Sequence, residues 1–340
     1  MKNLKSNYFK NLPLVYIIIV NFRSWKDTIE CLDSVIKSTY KNYRVVIVDN
    51  GSKNNSVEYI KNWADNKLGS INIIGSEDVC KIDNQTNNLN ILSLITLICS
   101  DDNKGFSYGN NIGIKYVQSL MDNFEYVWLL NNDTVIEPES LSKLIEKALK
   151  YQENNEKVGI IGSKLLYYDN RAIIQGVGGI YNKWLGTSKH LGKFQKDNRQ
   201  FDNDDITKKI DYVIGASMFV NKVFIEEVGL MNEEYFLGFE ELDWTERGKR
   251  KGWVNGYCWE SIVYHKVGVS MKLDGDKQDI SDLSYYYGLR NRILFTRNFY
   301  PYFLLTVYAG FIKDILGKIK KRKFNKLKVI FSVIFNIGNN

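Results

Sequence analysis

Apolar residues along this chain come in short β-branched runs, each stopped by a polar turn and followed by apolar positions three and four apart. Val15-Tyr16-Ile17-Ile18-Ile19-Val20 ends at Asn21, and from Thr28 to Ser38 the residues Ile29, Leu32, Val35 and Ile36 share one helical face. Arg44-Val45-Val46-Ile47-Val48 closes at the turn Asp49-Asn50-Gly51-Ser52, and a helix is predicted from about Ser56 to Asp65. Repeated strand-then-helix units require a parallel sheet with right-handed crossovers, whose post-strand loops share one rim. A third run, Tyr126-Val127-Trp128-Leu129-Leu130, stops abruptly at Asn131-Asn132-Asp133-Thr134. Apolar residues on both faces suit the interior of such a sheet. Asn21, Asp49 and Asp133 therefore fall on the same rim.

The remaining pattern fills out this plan. Between Gly75 and Ser100 an Asn-rich stretch gives way to the apolar residues from Ile91 to Ile98, compatible with an inserted hairpin or with an extended strand. A helix is expected after the segment Asp102-Asn103-Lys104-Gly105-Phe106-Ser107-Tyr108-Gly109-Asn110-Asn111-Ile112-Gly113, running toward Met121, and another after Pro138, with Leu141, Leu144, Ile145 and Ala148 on one face. Val158 to Leu166 and Tyr212 to Val220 read as strands, with turns at Gly176, Gly178 and Gly179. Helices follow over Lys222 to Val228 and Glu240 to Lys251, and a strand runs through Ile262-Val263-Tyr264-His265. No Pro-, Gly- or Ser-rich linker separates the halves. The fold expected is a doubly wound, mostly parallel α/β sheet with a Rossmann-like nucleotide-binding half. One domain is predicted over 1–298, with 13–135 holding a nucleotide, 136–298 shaping the acceptor side, and a helical tail over 299–340.

Composition narrows the function classes. The net charge of +7 is concentrated between Lys313 and Lys328, which hold eight Lys or Arg and one acid, Asp314. The body is then close to neutral, which argues against nucleic acid as a partner. Cys31, Cys80, Cys99 and Cys258 form no CxxC pair, and two histidines cannot build a zinc cage, so a reduced cytoplasmic protein is expected. The apolar run Leu14 to Val20 is too short for a signal peptide or a membrane span. The first turn, Asn21-Phe22-Arg23-Ser24, lacks glycine, and Gly105 to Gly113, whose three glycines precede a helix and would let backbone approach phosphate, is neither GxGxxG nor GxxxxGK[ST], which argues against nicotinamide chemistry. It also lacks the glycine- and basic-rich loop with which a nucleotidyltransferase would hold a triphosphate.

Several residues carry candidate chemistry, each beside a plainer reading. Asp133 is a ligand for a hard cation such as Mg2+ or Mn2+, or the cap of the next helix. Asp49 accepts from a nucleobase or ribose, or closes an Asx-turn. Glu240, Glu241 and Asp243 stand within one turn, placed there either by the helix dipole or as acids desolvated beside Tyr235-Phe236-Leu237-Gly238-Phe239. In the second case crowding and burial raise a carboxyl's pKa toward that of a general base. His265 is a satisfied structural histidine, a metal ligand or a phosphate contact.

Taken in order, Val20-Asn21-Phe22, Val48-Asp49-Asn50-Gly51-Ser52, Asn103-Lys104-Gly105-Phe106, Gly109-Asn110-Asn111-Ile112-Gly113, Leu130-Asn131-Asn132-Asp133, Gly215-Ala216-Ser217-Met218 and Glu240-Glu241-Leu242-Asp243 resemble family-two inverting glycosyltransferases of GT-A fold. The likeness runs from about Pro13 to Arg297 and is greatest to rhamnosyltransferase-like members. It implies that Asp133 is the last acid of a DxD-type motif holding Mg2+ or Mn2+ under the donor diphosphate. It implies that Asp49 contacts the nucleoside, that Asn21, Asn103, Gly105, Asn110, Asn111 and Asn132 border the donor, and that Glu241 deprotonates the acceptor hydroxyl. Asn131 replaces the first acid of the motif, and Asn54 stands where many members carry a second Asp. Arg290-Asn291, after Tyr285-Tyr286-Tyr287, is similar to the family's closing helix, either a plain helix surface or a grip on phosphate.

The implied partners are a dTDP- or UDP-linked sugar donor and a saccharide or polyprenyl-linked acceptor for surface polysaccharide. A degenerate fold that binds saccharide without turnover is the alternative. Tyr300 to Ile312 is apolar and Lys320-Lys321-Arg322-Lys323 follows. The tail is thus read either as an amphipathic segment on the inner face of the cell membrane or as a helix packed on the body.

Overall fold

A computed structural model describes residues 12–81, 94–120, 122–266, 281–320 and 322–337. The sheet runs β3 (Asn72–Gly75), β4 (Ile95–Ser100), β2 (Tyr43–Asn50), β1 (Leu14–Asn21), β5 (Phe124–Leu130), β11 (Ser217–Asn221), β7 (Val158–Tyr167), β12 (Val254–His265) and β6 (Thr134–Ile136). A further short strand, β8 (Ile174–Gly176), pairs with β7. The first five strands are parallel, β11 runs antiparallel between β5 and β7, and β12 is parallel to β7. A separate hairpin joins β9 (Gly179–Asn182) to β10 (Thr187–His190). In the 75–100 stretch, Ile95–Ser100 is a strand paired with both β2 and β3. The rest of that expectation, over 82–93, lies outside the described residues, as do positions 1–11 of the basic amino-terminal segment.

Alternation along β1 decides which helices cover which face. Val15, Ile17 and Ile19 pack under α1 (Trp25–Val35), α2 (Ser56–Leu68) and α4 (Ser140–Glu153). Tyr16 and Ile18 face α3 (Phe106–Ser119), α5 (Lys222–Val228) and α6 (Glu240–Lys249). Each fully buried isoleucine here contributes about 1.5–3 kcal/mol through removal from water. The strand expected over Tyr212 to Val220 is shorter, because Ser217 N donates to Ile214 O and turns the chain at Gly215.

The glycines after Gly105 also take a different place from a phosphate-cradling loop. α3 begins at Phe106, so Gly109 and Gly113 lie inside it, one turn apart. A Cβ on Gly109 would stand 2.7 Å from Val20 Cγ1, and one on Gly113 2.6 Å from Ile18 Cγ2. Both serve the close approach of α3 to β1.

Beyond β12, α7 (Asp282–Phe299), α8 (Leu304–Lys320) and α9 (Phe324–Ile337) pack on one another through Leu289, Ile293, Val307, Phe311, Ile330 and Val333. Arg292 fastens this unit: its guanidinium lies over Phe311, and its Nη1 pairs with Asp314 at 3.1 Å. One face of the tail is therefore packed. An adjoining stripe of α8 leaves Leu305, Ile312, Leu316 and Ile319 exposed. No helix among the described residues is long and apolar enough to cross a membrane.

Candidate active site

The carboxyl ends of β1 and β2 close into one buried polar network. Asn21, at the last position of β1, donates through Nδ2 to Asp49 Oδ2 at 2.6 Å and to Ser52 Oγ at 3.1 Å. Asp49 also accepts from Ser52 N at 3.0 Å and from Ser52 Oγ at 2.7 Å, the Asx-turn geometry expected of the Asp-Asn-Gly-Ser turn. Thr28, on α1, donates to Asn21 Oδ1 at 2.8 Å and accepts from Asn132 Nδ2 at 3.0 Å. Asn132 is thus tied to α1, and a chain of hydrogen bonds links the ends of β1, β2 and β5. Such a fully paired network holds its members in one arrangement.

A second layer comes from the Asn103-Lys104-Gly105-Phe106 segment. Asn50 Nδ2 donates to Asn103 Oδ1 and to Gly105 O, both at 3.0 Å, and Gly105 N donates back to Asn103 Oδ1 at 2.9 Å. Gly105 has φ +99°, and a Cβ there would stand 2.4 Å from Phe236 O. Only glycine admits both that dihedral and that approach. Asn110 donates to Phe106 O within its own helix, at 2.9 Å. Asn111 holds the loop before α6: its amide donates to Met231 O at 2.9 Å and Glu233 Oε1 at 2.8 Å, and its Oδ1 accepts from Met231 N at 3.1 Å.

Asp133 and His265, expected from opposite ends of the chain, meet on the rim. Antiparallel pairing of β6 with β12 sets His265 opposite Thr134, and Lys266 N donates to Asp133 O at 2.9 Å. His265 Nε2 then stands 3.1 Å from Asp133 Oδ1, while Nδ1 lies 2.7 Å from Gln175 Oε1. An amide oxygen only accepts, so Nδ1 donates to Gln175, and Nε2 faces the carboxylate either as a second donor or as an acceptor. As two acceptors the pair would suit a shared cation. Ligand atoms about 2.1 Å from one octahedral ion, at right angles, lie about 3 Å apart, which fits this pair. An oxygen with an imidazole nitrogen also suits Mn2+ better than Mg2+. No cluster of three or more His, Cys, Asp or Glu with metal-binding geometry occurs among the described residues. The remaining positions of a bound ion would fall to ligand oxygens and water. Asn131, in place of a first acid, turns inward: its N donates to Ala216 O, and its Oδ1 is buried without a partner.

Of the three acids opening α6, Glu241 alone lines a cavity of about 310 Å³, together with Ser188, His190, Tyr212, Gly238 and Ser284 among others. Burial raises the Glu241 carboxyl well above the usual carboxylate range. Glu240 is raised by burial and then by Glu241, and its Oε2 has no partner. It is held as the neutral acid. Asp243 pairs with Arg247 at 2.7 Å, and Arg247 in turn donates to Val228 O and Leu230 O, so this acid anchors the base of the helix. The turn that aims Glu241 is strained: Phe239 has φ +80°, which a bulky residue rarely adopts. Asn291 holds that turn from α7, donating through Nδ2 to Leu237 O at 3.1 Å and Gly238 O at 2.8 Å. Arg290 beside it donates to Glu234 O at 3.0 Å.

His190 and Gln175 connect the two centres. The His190 side chain bonds the Gln175 backbone, and burial first, then Lys193 and His265, push its pKa down to about 4. The metal-type pair and the Glu241 cavity are therefore separated by a neutral imidazole and an amide. Gln175, His190 and Thr28 carry no motif, and only the folded chain marks them. Asn50, Ser52 and Asn291 stood inside motifs but carried no role of their own there.

Residues 16–229 match the glycosyl transferase family 2 domain, well over half of the chain. The chain belongs to that family. It is 25% identical over 283 residues to the low-salt glycan biosynthesis hexosyltransferase of Haloferax volcanii, covering 82% of this chain and 74% of that relative. It is 26% identical over 236 residues to a dTDP-rhamnosyl transferase of Shigella flexneri, covering 67% of this chain and 74% of the relative. The solved mannosyltransferase of Pyrobaculum calidifontis, in complex with GDP-Man and Mn2+, superposes with a TM-score of 0.52 over 92% of this chain and 76% of that one, at 12% identity. At that identity the likeness is one of fold, and the fold of this family 2 glycosyltransferase is GT-A.

Proposed function

We propose that this glycosyltransferase is metal-dependent and inverting, and that it moves a hexose, rhamnose foremost, from a dTDP- or UDP-linked donor to a saccharide hydroxyl. The observation that carries the reading is the Asp133–His265 pair set one layer from the cavity of Glu241. The buried Asn21–Asp49–Ser52 network supports a nucleoside on the β1–β2 side of the rim. Asp133 and His265 would hold the divalent ion, which when bound offsets charge on the diphosphate leaving group.

The chain's own residues then perform one displacement. Glu241, ionised, takes the proton of the acceptor hydroxyl as that oxygen bonds the anomeric carbon. The bond from that carbon to the diphosphate oxygen breaks, its electron pair leaves with the nucleoside diphosphate, and the configuration inverts. Burial that raises Glu241 makes it a stronger base, while neutral Glu240 beside it avoids a second charge. The acceptor is lipid-linked in this reading, since α8 leaves an apolar stripe exposed close to Lys313, Lys318 and Lys320.

Thermal shift with a panel of nucleotide sugars, with and without Mn2+, tests the donor side. Stabilisation by a dTDP- or UDP-sugar that needs Mn2+ is expected. A chain that no sugar nucleotide stabilises in either condition would not be this enzyme.

A further inference from the structure

A second cavity, of about 630 Å³, lies between the β9–β10 hairpin and the junction of α7 with α8. It is larger than the Glu241 cavity and none of the residues assigned above accounts for it. Its walls include Tyr181, Trp184, Lys189, Asp211, Glu246 and Tyr300. Ser188 lines both cavities, and its hydroxyl bonds Tyr212 in the first. Glu241 and Glu246 also project from one helix, about 7.5 Å apart along its axis at 1.5 Å per residue.

The lining has the chemistry of a carbohydrate site. Trp184 is 58% exposed, yet its position is fixed: its ring meets Phe303 edge-on at 4.7 Å, and its carbonyl accepts from Thr306 Oγ1 at 2.6 Å. A large ring held open to solvent offers an apolar platform for the C–H face of a sugar. The two carboxylates are pre-set as well. Asp211 Oδ2 accepts from Tyr181 N at 2.7 Å, and Glu246 accepts from Tyr300 OH and Lys249 Nζ, both at 2.9 Å. A carboxylate has about four acceptor sites, so each retains capacity for hydroxyl donors. Asp211 and Glu246 offset Lys183 and Lys189 in charge, which favours a neutral polyol over a phosphate.

We propose that this cavity is a remote acceptor subsite that holds the non-reacting sugar units of an oligosaccharide whose terminal hydroxyl enters the Glu241 cavity. The proposal rests on the transferase reading for what happens at Glu241, but the subsite is tested separately. The acceptor is then at least a disaccharide.

Immobilised mono-, di-, tri- and tetrasaccharides probed with the intact Glu241→Gln protein and with its Trp184→Ala derivative give the test. Binding to one or more glycans of two units or longer is expected, weakened about tenfold or more by Trp184→Ala, with Trp184→Phe restoring most of it. The thermal shift given by the donor should be the same in both proteins, which shows that Trp184→Ala is folded. Glycan binding that Trp184→Ala leaves unchanged, binding of monosaccharides alone, or no glycan binding overturns the subsite. Trp184-dependent glycan binding by a chain that no sugar nucleotide stabilises would uphold the subsite and remove the transferase reading.

Discussion

His265 Nε2 faces Asp133 Oδ1 at 3.1 Å, with the other ring nitrogen committed to Gln175. Each residue alone is an unremarkable polar side chain near the surface. With Nδ1 donating to Gln175, a neutral ring would turn its lone pair toward the carboxylate, and the two atoms would then suit the shared divalent cation proposed above.

His265→Ala should therefore raise the Mn2+ concentration needed for half-maximal donor binding. Gln175→Leu, which leaves both ligands in place but frees the ring, should raise it by about 10–100-fold, the usual cost of losing an outer partner of a metal-binding histidine. Titration calorimetry of Mn2+ in the presence of nucleoside diphosphate reads both. Equal Mn2+ affinity in the wild type and His265→Ala would remove His265 from the metal site.

Glu241→Gln should reduce transfer by about a thousandfold, while donor affinity changes less than about twofold. The wild-type rate should climb with pH through neutrality rather than near pH 4, since burial raises the pKa of this carboxyl and only its ionised form accepts a proton. A flat profile between pH 5 and pH 8, which a base at the ordinary glutamate value of about 4.3 would give, would overturn the raised pKa.

Glu240 should reveal itself in stability. Its carboxyl is raised in the folded chain, so between the ordinary glutamate range and its folded value the native state binds more protons than the unfolded state. By linkage, stability from this group is fullest in acid, below about pH 4, and declines as pH rises into the neutral range. Glu240→Gln keeps the shape and removes the titration. Its melting temperature should exceed that of the wild type at pH 8, and the gap should close toward pH 4. A gap independent of pH would refute the assignment.

Asn291 should behave as a positioning residue. Asn291→Ala leaves the Leu237 and Gly238 carbonyls unpaired and releases the strained turn before Glu241, costing about 2 kcal/mol in denaturant unfolding. The turnover number should fall while the donor dissociation constant holds, since nothing on the Asp49 side moves. Loss of donor binding instead would place Asn291 in the nucleotide pocket.

Gly113→Ala tests the reassignment of the glycines. The new methyl group would stand 2.6 Å from Ile18 Cγ2, and about 1–3 kcal/mol of stability should be lost. Donor affinity measured on the remaining folded protein should be unaltered.

Much of this was legible in the linear chain, for a physical reason. β1, β2 and β5 are buried on both faces, so their apolar runs are continuous and their ends abrupt, and Asn21, Asp49 and Asp133 mark those ends. Gly105 was visible as a motif residue, since a positive φ against Phe236 admits nothing else. The acids at the start of α6 were legible as a cluster, and the aromatic segment before them announced their burial.

Tertiary structure decided the rest, because it depends on distances between residues far apart in sequence. Which of Glu240, Glu241 and Asp243 meets a cavity is set by how α6 packs: one carboxyl is buried without a partner, one opens onto the cavity, and one pairs with Arg247. Gly109 and Gly113 looked like a phosphate loop until α3 was laid on β1. The tail admitted two readings, and the fold shows how it packs: one face is covered through Phe311, while Leu305 and Leu316 are exposed. The sequence by itself determined the family, the buried strands β1, β2 and β5 and the positions at their ends. The fold decided which polar groups those ends bring together, because hydrogen bonds such as Thr28 to Asn21 and contacts such as His265 to Asp133 form only when the sheet closes.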